Sequence, residues 1–216
     1  MRQGVGGDTL KGAAGAPIAG DVARRVRLVS LDVDGVLTDG TIWFAGAGGS
    51  KRVSGAGSTD VFEAGGFHVH DGLGIRLLIA AGLEVAFVSG RRSRAVESRA
   101  HELGVAEVHL GVPAGKLTAV EGLLSRRGWT WRNVAHLGDD LTDLPVLERA
   151  GLPAAVANAV PEVLASSTWH GTVPGGRGAV REFARALLAA RGAWNETVDG
   201  YLATGRADGA PGGRGD

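Results

Sequence analysis

Residues 26–40 read VRLVSLDVDGVLTDG, an apolar run that gives way to a series of aspartates. A short apolar run bounded by turn residues is typical of a buried strand in a parallel sheet. Asp32 stands at the end of this predicted strand, and Asp34 stands two residues farther along the chain. Because ligands bind beyond the carboxyl ends of such strands, we expect both carboxylates to face a functional site.

The same strand pattern recurs along the chain, with helical patterns between its copies. Further apolar runs lie at residues 84–88, 105–110, 134–137 and 154–157. A spacing that places side chains on one helix face is followed by Val180, Phe183, Ala184, Leu187 and Leu188. Strands that alternate with helices predict an α/β fold with a doubly wound, Rossmann-like parallel sheet and right-handed crossovers.

The composition excludes several classes of protein. The 216 residues contain 23 Lys+Arg and 23 Asp+Glu, so no overall charge draws the chain to nucleic acid or to an anionic membrane. The absence of cysteine excludes disulfides, thiolate metal sites and thiol catalysis. No apolar run approaches the roughly 20 residues that a membrane-spanning helix needs. We expect a soluble, cytoplasmic protein that binds neither nucleic acid nor membrane.

The two ends of the chain differ from its middle. Residues 1–25 and 204–216 are rich in glycine and lack periodicity, which predicts a flexible leader and a flexible tail. Between them, residues 26–201 form one predicted domain. Residues from about 40 to 69 combine glycine with aromatic and β-branched patches and show no helical period, which predicts a β-hairpin flap after the first strand.

Polar residues also follow the later predicted strands, at the same edge of the sheet. They are Ser89 and Gly90, Lys116 at a helix start, and the aspartates Asp139, Asp140 and Asp143. Carboxylates that crowd together repel one another unless a cation lies among them, and Mg²⁺ prefers oxygen ligands. Several carboxylates, a hydroxyl and a lysine at one edge are what a metal-assisted phosphoryl transfer needs.

The predicted roles follow from the chemistry of each side chain. Asp32 can attack phosphorus and form an acyl phosphate, and Asp34 can protonate the leaving oxygen and later deprotonate water. Ser89, Gly90 and Lys116 would hold the phosphoryl oxygens, and the lysine would offset their charge. Each residue alone also has a structural explanation, because aspartates form turns and cap helices. Their order at successive strand ends favours catalysis.

These motifs resemble those of the haloacid dehalogenase superfamily. An aspartate two residues after the nucleophile resembles its phosphatases rather than its dehalogenases. Residues 67–75, FHVHDGLGI, and residues 174–182, PGGRGAVRE, are similar to the capless 3-deoxy-D-manno-octulosonate 8-phosphate phosphatase branch. The resemblance covers about residues 26–201, and it implies a haloacid dehalogenase-like core with a hairpin flap and no cap domain.

The resemblance also implies a magnesium site. Its ligands would be the Asp32 side chain, the backbone carbonyl of Asp34 and the Asp139 side chain. Asp140 and Asp143 would orient Lys116 and the waters on the metal.

For the substrate, the resemblance implies contacts from Thr38, His70 and Arg177, with a Gly-Gly-Arg-Gly segment at residues 175–178 that closes over it. It further implies a homotetramer in which the flap covers a neighbour's site. His70 stands where the branch usually has arginine, and a neutral histidine cannot fork onto a carboxylate as arginine does. Alternatively, His70 is a tolerated variant without a substrate role.

The expected function is therefore hydrolysis of a sugar-acid phosphate such as 3-deoxy-D-manno-octulosonate 8-phosphate. Alternative substrates are a sialic-type 9-phosphate and another unusual sugar or nucleoside phosphate of a secondary pathway. The same motifs also fit a phosphotransferase or a broad phosphatase. A non-catalytic accessory subunit of a sugar-activating enzyme is a further alternative, although the intact Asp32, Asp34, Lys116 and Asp139 argue against it.

Overall fold

The computed structural model describes residues 14–46, 61–112 and 115–208. Its helices are α1 Gly20–Arg25, α2 Val69–Ala80, α3 Arg94–Leu103, α4 Lys116–Arg127, α5 Leu144–Leu147, α6 Pro161–Ser166, α7 Ala179–Arg191 and α8 Trp194–Asp208. Its strands are β1 Leu28–Leu31, β2 Trp43–Gly46, β3 Val61–Ala64, β4 Glu84–Ser89, β5 Glu107–Leu110, β6 Val134–Gly138, β7 Leu152–Ala155 and β8 Trp169–His170. Short 3₁₀ turns lie at Trp131–Asn133 and Leu141–Asp143.

Six strands form one sheet in the order β5-β4-β1-β6-β7-β8, and every neighbouring pair is parallel. The predicted doubly wound parallel sheet is therefore confirmed. Within this sheet, β4 lies on one side of β1 and β6 lies on the other side. The strand order therefore switches direction at β1. In such sheets the ligand crevice opens at the carboxyl ends of the strands beside the switch.

Helices cover the sheet on both faces, which is why its central strands read as continuous apolar runs. All four residues of β1 and all five of β6 are buried. On one face, Val29 and Leu31 pack in the core that holds the predicted apolar face of α7, residues 180–188. On the other face, Leu28 packs with Leu123 of α4. Alternate residues of β1 thus point to different layers.

The predicted flap is a two-stranded antiparallel hairpin that follows the loop after β1. Trp43 of β2 pairs with Ala64 of β3. The middle of the predicted flap, residues 47–60, lies outside the described residues. The described part of the chain contains no cap domain, in agreement with the prediction.

Helices extend beyond both predicted ends of the domain. The last residues of the predicted leader form α1, where Ala23 is fully buried and its carbonyl accepts a 2.8 Å hydrogen bond from Arg191 of α7. Gly15 donates a 2.8 Å bond to the carbonyl of His170 at the sheet edge. At the other end, α8 runs past the predicted boundary at residue 204. The six residues of α1 are too few to show a helical period in the sequence, so its contacts with α7 decide that it forms.

Residues 1–13 and 209–216 of the predicted leader and tail lie outside the described ranges. Among the helices that are described, none is both long and apolar enough to cross a membrane.

Candidate active site

The loop after β1 carries the predicted nucleophile. Asp32 is 5% exposed, and its backbone N–H donates to the carbonyl of Leu137 in β6 at 3.1 Å. Gly35 has a φ of +91°, and a Cβ there would collide with the Asp139 carboxylate. A glycine is therefore required for the loop to approach the carboxylate that follows β6.

Thr38 holds this loop closed. Its hydroxyl donates to the carbonyl of Val33 at 3.3 Å and accepts from the N–H of Gly40 at 3.2 Å. Its methyl group is the nearest atom to a Cβ built at Gly65 in the flap, at 3.9 Å. The predicted substrate contact of Thr38 stays a prediction, and its hydroxyl has partners within the loop.

Lys116 lies at the first position of α4 and is 3% exposed. Its Nζ lies 2.8 Å from Asp32 Oδ1, 2.8 Å from Asp143 Oδ1 and 3.1 Å from Thr142 Oγ1. An ammonium has three protons to donate, so each has an acceptor. Burial alone would lower the pKa of Lys116, but the carboxylates of Asp32 and Asp143 raise it above its usual value. The lysine stays charged beside the predicted nucleophile.

Asp143 lies beneath this pair and is fully buried. Its Oδ1 also lies 3.0 Å from Nε2 of His136, and its Oδ2 accepts from the backbone N–H groups of Asp139 at 3.1 Å and Asp140 at 3.4 Å. Burial works to raise the pKa of Asp143, but His136 and Lys116 hold it far below its usual range. The supporting role of Asp143 stays a prediction, and its partners are the groups that such a role would use.

A metal ion fits between the carboxylates. Oxygens of Asp32, Asp139 and Asp143 lie within 4.8 Å of one another. Asp139 Oδ1 is buried and accepts no hydrogen bond within the described part of the chain. Burial, followed by the charge of Asp143, raises the pKa of Asp139 to about 6, and burial raises the pKa of Asp32 well above its usual value. The raised pKa values mean that burial and mutual repulsion disfavour the negative charges of these carboxylates. A hard divalent cation such as Mg²⁺ would offset that cost.

Asp32 and Asp139 are the residues that would hold the ion, because the oxygens of Asp143 already have partners. Ligation by the backbone carbonyl of Asp34 stays a prediction. Asp140 accepts a 2.7 Å bond from the N–H of Leu141 and lines the cavity.

Asp34 turns toward the end of β4. Its Oδ2 accepts from Ser89 Oγ at 3.2 Å, and its Oδ1 lies 2.9 Å from Nη1 of Arg91. The Ser89 hydroxyl also accepts from the N–H of Arg91 at 3.1 Å. Sequence reasoning assigned no role to Arg91, although it directly follows the Ser89-Gly90 pair. The signal that could have found it is a cation at a strand end beside two predicted site residues.

One cavity of about 320 Å³ brings most of the predicted residues together. It is lined by Asp32, Asp34, Ser89, Gly90, Arg91, Lys116, Asp139, Asp140 and Thr142. A smaller recess toward the flap shares Asp34 and Arg91 with this cavity and adds Thr38, Ile42 and Phe67. His70 and Arg177 line neither space.

The predicted closing segment at residues 175–178 lies directly on the loop after β1. The N–H of Gly176 donates to the carbonyl of Val36 at 2.9 Å, and a Cβ at Gly175 would collide with the backbone of Gly35. Arg177 is exposed, and its Nη2 lies 3.2 Å from Asp39 Oδ2. A cation on this segment therefore stands at the end of the loop that carries the nucleophile.

Asp71 holds this segment from the other side. It is 2% exposed, and it accepts from the N–H of Gly178 at 3.2 Å and from the N–H of Arg181 at 2.9 Å. Sequence reasoning missed Asp71, because its partners are distant in the chain. The neighbouring His70 is exposed, and its ring lies 4.9 Å from that of His68 in an edge-on arrangement.

Comparison with known proteins identifies the family. Residues 113–174 match the family model described as haloacid dehalogenase-like hydrolase. The chain is 39% identical over 183 residues to the 3-deoxy-D-manno-octulosonate 8-phosphate phosphatase KdsC of Escherichia coli K12, which covers 83% of this chain and 90% of that protein. The chain belongs to the haloacid dehalogenase-like hydrolases.

Solved structures of the family agree with this fold. The 3-deoxy-D-manno-octulosonate 8-phosphate phosphatase of Moraxella catarrhalis, in complex with a magnesium ion, a phosphate ion and KDO, gives a TM-score of 0.75 at 33% identity. The match covers 84% of this chain and 97% of that one. The corresponding phosphatase of Yersinia pestis gives 0.73 at 37% identity, over 82% and 88% of the two chains. The predicted capless fold, the phosphatase class and the magnesium cofactor are confirmed.

Proposed function

We propose that this haloacid dehalogenase-like hydrolase removes the phosphate from 3-deoxy-D-manno-octulosonate 8-phosphate through a phospho-aspartate on Asp32. The observation that carries the chemistry is the contact between Asp32 and Lys116, 2.8 Å apart at the base of an acidic cavity. The names of the relatives support the substrate. This chain aligns with 90% of the Escherichia coli phosphatase and with 97% of the Moraxella catarrhalis one.

In the first half of the reaction, a carboxylate oxygen of Asp32 forms a bond to phosphorus, and the bond between phosphorus and the sugar oxygen breaks. Asp34 gives its proton to that leaving oxygen. Lys116 offsets the charge that spreads over the phosphoryl oxygens. When bound between Asp32 and Asp139, Mg²⁺ supplies further positive charge to the same group.

In the second half, Asp34 takes a proton from a water molecule, whose oxygen bonds to phosphorus while the bond to Asp32 breaks. Phosphate leaves and the Asp32 carboxylate is restored. Asp34 must turn for both steps, because Ser89 and Arg91 now hold its oxygens. Binding of the substrate phosphate, which competes for these donors, would release it.

The lining of the cavity supports an anionic substrate, because Lys116 and Arg91 both line it. Beside the cavity, a narrow recess of about 20 Å³ shares Asp34 and Arg91 with it. Arg177 lies outside both spaces, and its guanidinium pairs with Asp39. The cations of the cavity favour a phosphate group, and Arg177 is the candidate for a contact with a carboxylate elsewhere on the substrate.

A panel of phosphate monoesters tests the proposal. Phosphate release is measured with 3-deoxy-D-manno-octulosonate 8-phosphate, a sialic-type 9-phosphate, a nucleoside monophosphate and p-nitrophenyl phosphate. We expect the first to give a kcat/KM at least about tenfold above the others, since one well-placed polar contact is worth that much. Equal kcat/KM values for all four compounds would contradict the proposed substrate. No phosphate release from any of them would contradict the proposed phosphatase activity.

A homotetramer, with the flap of one copy over the site of another, belongs to the same proposal. Trp43 and Phe44 at the start of the flap are each 67% exposed, beside Ile42 of the recess. Exposed apolar groups in such a patch favour burial against a protein surface. Light scattering of the wild type and of a Trp43→Ser, Phe44→Ser variant tests it, and a monomeric wild type would contradict it. The cytoplasmic location stays a prediction.

A further inference from the structure

A buried histidine lies beneath the catalytic lysine. His136 of β6 is fully buried, and the strand register pairs it directly with Ser30 of β1. Its Nδ1 lies 3.1 Å from Ser30 Oγ, and its Nε2 lies 3.0 Å from Asp143 Oδ1. A polar ring in a sheet core is costly unless its nitrogens are hydrogen-bonded, and here both are.

The proton on this ring can be assigned from its partners. An ionised carboxylate only accepts hydrogen bonds, so the His136 Nε2–H donates to Asp143 Oδ1. That same oxygen accepts from Lys116 Nζ at 2.8 Å, while the other oxygen of Asp143 holds two backbone N–H groups. His136 therefore fixes the carboxylate oxygen on which the lysine rests.

We propose that His136 is a positioning residue for the phosphatase reaction: through Asp143 it holds Lys116 against Asp32. The inference rests on the proposed chemistry at Asp32, and it holds whichever phosphorylated sugar is the substrate. His136 has no exposed surface, so it touches neither substrate nor metal. Its contribution runs through a chain of contacts of 3.0, 2.8 and 2.8 Å that ends at the nucleophile.

The expected signature is a loss of kcat at nearly constant KM. Lys116 meets charge that is larger in the transition state than in the bound substrate, so a misplaced ammonium weakens the transition state most. A residue that served only the fold would instead lower thermal stability without changing the activity of the molecules that remain folded.

Two amide substitutions separate these roles. In His136→Gln the amide nitrogen reaches the place of Nε2 and keeps the bond to Asp143, whereas in His136→Asn it reaches only the place of Nδ1 beside Ser30. We expect His136→Asn to lower kcat for p-nitrophenyl phosphate about 10- to 100-fold, the usual effect of removing an orienting partner. His136→Gln should restore most of that loss, with both KM values within about twofold of the wild type.

His170 supplies a matched control. It is also a buried strand histidine, and its Nε2 lies 2.9 Å from the carbonyl of Leu164, but the described contacts join it to no site residue. His170→Asn should lower the melting temperature and leave kcat within about twofold. A drop in kcat as large as that of His136→Asn would show that any buried histidine is needed, and would overturn the inference.

A spectroscopic measurement tests the geometry without turnover. Long-range ¹H–¹⁵N spectra of the wild type should show a protonated Nε2 on His136, and its signal should move in Asp143→Asn. A neutral ring protonated only at Nδ1 would overturn the inference, as would equal kcat values for the Asn and Gln variants of an active enzyme. A wild type that releases no phosphate would overturn the proposed function and this inference with it.

Discussion

Two buried aspartates, Asp143 and Asp71, perform similar structural tasks in opposite electrostatic surroundings. They are 0% and 2% exposed, and each accepts hydrogen bonds from two backbone N–H groups. Asp143 also meets Lys116 and His136, which hold its pKa far below the usual range against the effect of burial. Burial dominates at Asp71 and raises its pKa, although the N–H groups of Arg181 and Gly178 work to lower it.

The difference separates two parts of the enzyme. Around Asp143, a charged network fixes Lys116 against the nucleophile, so changes there should alter the rate for every substrate. Around Asp71, the carboxylate accepts from the N–H of Gly178, in the segment 175–178 on the catalytic loop, and from the N–H of Arg181 in α7. Changes there should alter the choice of substrate more than the rate of the chemistry.

The largest effect is expected from Asp32→Asn, which removes the nucleophile at the centre of the charged network. The amide has nearly the same shape but cannot form the acyl phosphate, so kcat should fall at least about 1,000-fold for every substrate. Phosphate release from purified variant and wild type measures this, with circular dichroism to show an intact fold. Activity near that of the wild type would refute Asp32 as the nucleophile.

Chelation should stop the reaction almost as completely. Without a cation, the charges of Asp32 and Asp139 repel each other and the phosphate. EDTA should remove activity and Mg²⁺ should restore it, and Mg²⁺ at 100 times its Kd should stabilise the fold by about 2.7 kcal/mol. Thermal melts should show this shift in the wild type and in Asp71→Asn but not in Asp139→Asn. A shift that persists in Asp139→Asn would place the ion elsewhere.

Asp143→Asn tests the charged half of the comparison. The neutral amide cannot balance Lys116 or accept fully from His136, so the ammonium loses its fixed place. We expect kcat to fall about 100-fold, the cost of losing one well-placed charge stabiliser. The loss should be equal for p-nitrophenyl phosphate and for 3-deoxy-D-manno-octulosonate 8-phosphate. A loss confined to the larger substrate would erase the distinction between the two aspartates.

Asp71→Asn tests the other half, with a smaller effect. Its amide oxygen can accept from one backbone N–H, but its NH₂ group cannot accept from the second, so the segment around Gly178 loosens. We expect kcat/KM to fall about tenfold for the sugar-acid phosphate, while p-nitrophenyl phosphate changes by less than about twofold. Equal losses for both substrates would show that Asp71 serves the catalytic core instead.

The smallest effect is a difference in the pH dependence of stability. The raised pKa of Asp71 means that its contribution is complete below the usual value near 3.8 and is lost as pH rises through the raised value. The free energy of unfolding of the wild type should therefore fall relative to Asp71→Asn between pH 4 and pH 7. The lowered pKa of Asp143 gives the opposite sign, with a contribution that is lost as pH falls. Urea titrations at pH 4 and pH 7 measure the sign for Asp71. Titrations of the wild type and of Asp143→Asn between about pH 4 and pH 2 measure the sign for Asp143, and equal signs would contradict the comparison.

Much of the charged network around Asp32 and Lys116 could be predicted from the sequence. Strands that are buried on both faces leave continuous apolar runs, so the sequence predicts β1 and β6. The residues that follow these strands in the chain must lie at their carboxyl ends. From the sequence alone, that rule places Asp32, Asp139 and Lys116 at one edge of the sheet. The periodic face of α7 was equally clear, because thirteen residues repeat the helical period several times.

Only the tertiary structure decided the contacts between distant segments. His136 and Ser30 are 106 residues apart, and Asp71 and Gly178 are 107 apart, so neither pair leaves a local pattern. The two residues of β8 and the six of α1 are too short to show a period, and packing against their neighbours orders them. Sequence periodicity records which face of an element is buried, but which side chains then meet depends on the register and the packing of the elements. The amino-acid sequence by itself determined the chemistry at the edge of the sheet, and the fold decided which buried groups hold that chemistry in place.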